Sequence, residues 1–149
     1  MLKPTAQAVW QGSLAQGKGL LTTPSEVLAD TPYSFRTRFG DDPGTNPEEL
    51  IAAAHAGCYS MALAFLLGSA GLPPQSIRTT ARLSVVNMDA SWTVTAIHLS
   101  VSAAVPGASD EAFQKIAEQA RTGCLVSRLV NAPVTLDAAL ESPSSLPGS

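Results

Sequence analysis

Asn46-Pro-Glu-Glu-Leu-Ile-Ala-Ala-Ala-His-Ala-Gly-Cys58-Tyr-Ser-Met-Ala-Leu-Ala-Phe-Leu-Leu-Gly-Ser-Ala70-Gly71 carries no Asp, Glu, Lys or Arg after Glu49 and reads as one long helix. Asn46 suits the N-cap, Pro47 the first helical position, and Glu48 and Glu49 the first turn, where acids complement the helix dipole. Glu49 lies three residues after Asn46, the spacing at which a capping carboxylate reaches back to the cap amide. Gly71 should stop the helix near Ala70, and Pro73-Pro74 prevent its continuation. A bilayer span needs about 20 mainly apolar residues, so the length passes. His55, Ser60 and the lack of a basic flank on the N-terminal side speak against a span. A helix apolar on every side is otherwise one buried in the middle of a soluble assembly.

Outward from this helix the period changes. Ile77, Thr79, Ala81, Leu83 and Val85 alternate with Arg78, Thr80, Arg82 and Ser84, the pattern of a half-buried strand. A turn through Asn87 to Ser91 leads to a partner strand from Trp92 to Val105. Ser109 can cap a second helix over Asp110 to Arg121, with Ala112, Phe113, Ile116, Ala117 and Ala120 as its apolar stripe. Cys124 to Val130 reads as a short turn or helix, and Pro133 to Leu140 as a last strand. Upstream, Ala6 to Gly12 and Gly19 to Thr23 read as short strands. Pro32 to Phe39 reads as a third extended piece ending in the loop Gly40-Asp-Asp-Pro-Gly44. The Ser/Pro/Gly-rich tail from Ser142 to Ser149 is expected to be disordered. Strands, a central helix, a long hairpin, a second helix and a strand define an α+β domain.

Composition sharpens this. The 149 residues suit one domain. Only 14% are charged, against roughly 25% in typical soluble chains. That is too little polar surface for a lone sphere, so another subunit should cover part of it. A net charge of −3 and no clustered basic face exclude a nucleic-acid binder. The N-terminus, Met1-Leu-Lys-Pro-Thr-Ala-Gln, lacks the apolar core of a secretory signal, and the chain is expected to be cytoplasmic, soluble and oligomeric. Two cysteines, Cys58 and Cys124, exclude a disulfide-dense scaffold and any C-x-x-C motif.

Cys58 is the most informative residue. Ala52, Ala53, Ala54, Ala56 and Gly57 leave little bulk around its sulfur, so something else should approach closely. A reactive thiol must ionise, and burial alone opposes that. The dipole of its own helix cannot help, because the effect fades within the first turn. A reactive Cys58 therefore needs a cation from elsewhere. Arg36 and Arg38 stand out, two apart on a segment read as extended and so on one face. At about 100° per residue, Glu49 lies half a turn from Cys58, whereas Glu48 is about 80° away. Ten residues at about 1.5 Å rise separate Glu48 from Cys58 by about 15 Å along the axis. If they share a site, an antiparallel partner helix must supply the acid. Cys124 is either inert or a resolving thiol for Cys58. His55, at i−3 from Cys58, lies on the same side of the helix, but no two-ligand motif supports a zinc site. His98 reads as a surface residue.

Thr45-Asn-Pro-Glu-Glu-Leu-Ile-Ala-Ala-Ala-His-Ala-Gly-Cys58, followed by Ser-Met-Ala-Leu, resembles the signature of the OsmC/Ohr thiol peroxidases, and Gly123-Cys-Leu-Val-Ser resembles their second-cysteine motif. Pro32-Tyr-Ser-Phe-Arg-Thr-Arg-Phe39 and Trp10-Gln-Gly12 are similar to the OsmC branch (osmotically inducible protein C) rather than the organic hydroperoxide resistance branch. The similarity runs from about Ala6 to Glu141, implying a single OsmC-like domain over 1–141. It implies that Cys58 is the peroxidatic cysteine, Cys124 the resolving cysteine, Arg38 the arginine that activates the thiolate, and Glu48 the acid that positions Arg38. Arg36 falls where the family requires no arginine. The fold implied is an intertwined homodimer with antiparallel sheets wrapped around two central helices and sites at the interface. The activity implied is reduction of organic hydroperoxides, and of hydrogen peroxide in the OsmC branch, in stress defence. It would proceed through a Cys58 sulfenic acid and a Cys58–Cys124 disulfide, without metal, haem or other cofactor. The reductant implied is a dithiol, typically a lipoylated protein. The alternative is a non-catalytic ligand-binding or redox-sensing relative, against which stands the presence of both cysteines, Arg38 and Glu48.

Overall fold

The computed structural model describes residues 1–141, so the expected disorder of 142–149 concerns residues outside those described. The chain falls into two compact units, Met1–Leu50 and a second that begins at Ile51.

In the first unit, β1 (Gln7–Gln11), β2 (Lys18–Thr22) and β3 (Thr31–Tyr33) form an antiparallel sheet in that order. Gly19 faces Trp10 on one side and Tyr33 on the other. A Cβ at Gly19 would collide with both rings, whose centroids lie 5.6 Å apart. Only glycine lets this aromatic pair close over the strand. The expectation of an extended segment through Phe39 fails here. The strand ends at Tyr33, and Phe35–Phe39 is a short helix, α1. Its cause is a reciprocal capping box. The Thr37 N–H donates to Ser34 Oγ at 3.3 Å, and the Ser34 N–H donates to Thr37 Oγ1 at 2.8 Å.

Helix α2 spans Pro47–Ser69, close to the bounds expected from its cap and stop signals. The Glu49 N–H donates to Asn46 Oδ1 at 2.8 Å, as an N-cap requires. The Glu49 carboxylate accepts from the Thr45 hydroxyl at 2.8 Å. By length and composition α2 could cross a membrane, yet its stripe of His55, Tyr59, Leu63 and Leu67 is buried in the protein.

In the second unit, β4 (Ser76–Met88) and β5 (Ser91–Ala104) form a long antiparallel hairpin. Asp89 and Ala90 both have positive φ, 52° and 65°, as a two-residue turn that matches strand twist requires. Helix α3 (Asp110–Gly123), capped by Ser109, and the short α4 (Leu125–Leu129) then carry the chain to β6 (Val134–Glu141). Strand β6 lies parallel to β5, the pairing a helical crossover permits. Ile97, Leu99, Val101 and Ala103 of β5 meet Tyr59, Leu63 and Leu67 of α2 and Phe113 and Ala117 of α3 in one core. The Tyr59 hydroxyl, buried among them, donates to the Ala117 carbonyl at 2.9 Å, so no polar atom is stranded there. Alternate β5 residues such as His98 face outward, where His98 contacts Thr135 and Asp137.

Part of α2 is left exposed by its own chain. Ile51, Met61 and Phe65 are 40%, 76% and 72% exposed, although the sequence reads as a helix meant for burial on all sides.

Candidate active site

Cys58 sits in mid-helix on α2, one turn beyond His55, and is partly buried. Cys124 is buried at the junction where α3 ends and α4 begins. Cys58 and Cys124, remote in sequence, lie near enough in the fold to shift each other's ionisation, and both are free. Cys58 is therefore not an isolated core hydrophobe.

The electrostatics separate the two thiols. Burial is the largest influence on Cys58 and acts to raise its pKa. The backbone N–H of Val126, the Cys124 thiol and the Leu125 N–H together outweigh it, so the Cys58 thiol lies below its ordinary value. Cys124 goes the other way. Burial pushes it up, the Ser127 N–H pulls it down, and a bond with Cys58 raises it further. The two thiols are thus shifted in opposite directions. Sequence reasoning assigned activation of Cys58 wholly to a distant cation and missed these amide donors. Backbone N–H groups carry no side-chain signature, and only a helix start directly after Cys124 could have signalled them.

Two further side chains tie this region together. His55 Nε2 lies 2.8 Å from Ser127 Oγ, and the Ser60 hydroxyl bonds to the Ala56 carbonyl and to Thr79 Oγ1. His55 and the cysteines do not form a metal cluster; among the described residues no group of three His, Cys, Asp or Glu could hold an ion.

Arg38 and Glu48 belong to the first unit and meet there. Arg38 Nε donates to Glu48 Oε1 at 2.7 Å. The guanidinium also lies 4.8 Å from the Phe39 ring centroid, a cation–π distance. Glu48 Oε2 is buried without a partner. Arg36 does not share this face. On a helix, residues two apart point about 200° away from each other, and Arg36 turns to Asp42 at 3.0 Å in an exposed ion pair. The expected pairing of Arg36 and Arg38 rested on extended backbone and is corrected by α1. Beside Arg38 opens a pocket of ≈ 350 Å³ walled by Trp10, Tyr33, Phe35 and Phe39.

A mid-helix cysteine whose ionisation is linked to that of a second, buried cysteine defines a dithiol protein on an α+β scaffold. The comparisons give that class its family. The family model described as OsmC-like protein matches residues 40–139. The chain is 49% identical over 136 residues to Peroxiredoxin OsmC of Escherichia coli (strain K12), covering 91% of this chain and 95% of that protein. Its fold is similar to that of an OsmC-like protein of unknown function from Vibrio cholerae, with a TM-score of 0.74 at 16% identity over 93% of this chain and 99% of that one. It is likewise similar to the organic hydroperoxide resistance protein OhrB of Bacillus subtilis, with a TM-score of 0.65 at 22% identity over 92% and 98%. The chain belongs to the OsmC family.

Proposed function

We propose that this chain is a thiol peroxidase that reduces hydroperoxides through Cys58 and Cys124. The observation that carries the reading is a Cys58 thiol which, against burial, Val126, Cys124 and Leu125 hold below its ordinary value, beside a Cys124 raised above its own. The 49% identity to a protein named Peroxiredoxin OsmC supports it. The Cys58 thiolate attacks the terminal oxygen of the peroxide, the O–O bond breaks, and the alkoxide leaves as an alcohol after protonation. Cys58 is left as a sulfenic acid. Cys124 sulfur then attacks Cys58 sulfur, water leaves, and a disulfide forms. An external dithiol returns both cysteines to thiols.

In this reading Arg38 stabilises the thiolate and the charge that develops on the leaving oxygen, and Glu48 fixes the guanidinium fork. The aromatic pocket beside Arg38 suits the hydrocarbon tail of an organic hydroperoxide. Residues 1–141 act as one OsmC-like domain, in keeping with the unbroken family match from 40 to 139. Two chains form a homodimer in which the acid and arginine come from the partner. The exposed Ile51, Met61 and Phe65 along α2 favour a second copy there, as does the 14% charged content. A resting pair of free thiols and a dithiol reductant, a lipoylated protein, suit the reducing cytoplasm.

The test is steady-state loss of cumene hydroperoxide with dihydrolipoamide as reductant. Turnover that vanishes in Cys58→Ser is expected. Equal turnover in that variant would remove Cys58 from the reaction.

A further inference from the structure

His55 is fully buried, and the peroxidase cycle as written gives it no task. It precedes Cys58 by one helical turn on α2, while Ser127 follows Cys124 by three residues on α4. Their side chains meet at 2.8 Å, so the contact runs alongside the cysteine pair, one turn away from each sulfur. It is the only side-chain hydrogen bond between α2 and α4 among the described residues.

The proton on the ring can be assigned. His55 Nδ1 is buried with no partner. A proton there would strand an N–H in apolar surroundings, which costs more than an unused lone pair. Burial also holds the ring's pKa below its usual value, so the imidazole is neutral. The proton therefore resides on Nε2, and His55 donates to Ser127 Oγ.

What Ser127 holds is the first turn of α4. The backbone amides of Val126 and Leu125 act to lower the Cys58 pKa, and those of Ser127 and Val126 that of Cys124, so this turn lies against both thiols. Helix α4 has five residues and no side-chain cap. A helix that short has no stability of its own in water, so its amides stay on the sulfurs only while something outside α4 fixes it.

We propose that His55 is a positioning residue of the peroxidase cycle, pinning the first turn of α4 to α2 through Ser127 so that the amides stay on Cys58 and Cys124 stays in reach. The inference rests on the peroxidase reading for its consequence but not for its geometry. With the pin intact, Cys58 sulfenic acid loses water to Cys124 and forms the disulfide. With the pin lost, α4 frays and the sulfenic acid waits longer. A second hydroperoxide then transfers its oxygen to that sulfur, leaving as alcohol, and a sulfinic acid results.

The experiment uses the full chain in four variants. Ser127→Ala and His55→Leu remove the bond, whereas Ser127→Thr keeps the hydroxyl and His55→Gln keeps a donor near the Nε2 position. The first readout is the pH midpoint of iodoacetamide labelling at Cys58, resolved by peptide mass spectrometry, with no peroxide present. Removing the bond should raise the midpoint by about half a pH unit, a roughly threefold loss of thiolate below it. The retaining variants should stay near the parent. The second readout is the fraction of Cys58 sulfinic acid after a fixed pulse of cumene hydroperoxide, which should rise about threefold or more in the removing variants only. A parent midpoint and parent sulfinic fraction in Ser127→Ala would overturn the proposal. If His55→Leu does not fold, Ser127→Ala still decides it, being a small change at a half-buried site. A parent protein that consumes no peroxide would overturn the peroxidase reading instead, and the labelling midpoints would still judge the pin.

Discussion

A cysteine in the middle of a long helix gains nothing from that helix's dipole, yet Cys58 sits below its ordinary pKa because Val126, Cys124 and Leu125 all donate to its sulfur and overcome burial. Cys124, raised by burial and by its bond to Cys58, remains the proton-bearing partner. The sign of each shift sets an order of reactivity. As pH rises, Cys58 ionises first, so iodoacetamide at near-neutral pH should label Cys58 well before Cys124, with the reverse order contradicting the assignment. Because the fold favours the Cys58 thiolate, that contribution to stability is present above the unfolded thiol's pKa and fades as pH falls through the folded value. Cys124→Ser should trap a Cys58 sulfenic acid that dimedone labels, whereas absence of the adduct after peroxide would deny Cys124 its resolving role. Arg38 holds Glu48 through Nε, a geometry a lysine cannot copy. Arg38→Lys should lower kcat/KM for cumene hydroperoxide about 100-fold, and a variant within twofold of the parent would show that no guanidinium acts in the reaction.

At the scale of elements, legibility followed how much of a feature is written in side chains. Helix α2 was readable because Asn46, Pro47 and Gly71 are punctuation with a mechanism, and the alternation of β4 and the stripe of α3 were readable because burial repeats with a fixed period. Helix α1 escapes the pattern, which makes Pro32 to Phe39 one extended piece. Its box is Ser34 with Thr37, where Glu or Gln more often stands, and five residues are too few for a period to emerge. An extended piece puts Arg36 beside Arg38, although the structure sends Arg36 to Asp42. The parallel pairing of β6 and the amides of α4 were invisible, since neither depends on residue type. Two changes test these elements. Ser34→Ala should cost about 1 kcal/mol of stability by denaturant melt and lower peroxidase activity by loosening the helix that presents Arg38. An activity loss with no change in melting would point to a direct role for the hydroxyl. Phe113→Ala, at the fully buried centre of α3, should cost about 3–5 kcal/mol; a cost below 1 kcal/mol would mean that the core is not where these contacts place it.

For the whole molecule, the low charge content and the apolar outer side of α2 have one physical meaning. A single chain exposes Met61 and Phe65 in water at 76% and 72%, and a second copy laid along α2 would remove them from it. On the homodimer proposed above, Phe65→Glu should shift sedimentation equilibrium toward monomer, and a profile unchanged from the parent would take α2 out of that interface. The family, the α+β architecture and the proximity of the two thiols together converge on one chemical event. That event is measured most directly in a single turnover. Reduced protein is given one equivalent of cumene hydroperoxide without reductant, then digested under non-reducing conditions and mapped by mass spectrometry. The account predicts one cumyl alcohol released per Cys58–Cys124 disulfide within a chain. Peroxide that persists while both cysteines remain free thiols would contradict it.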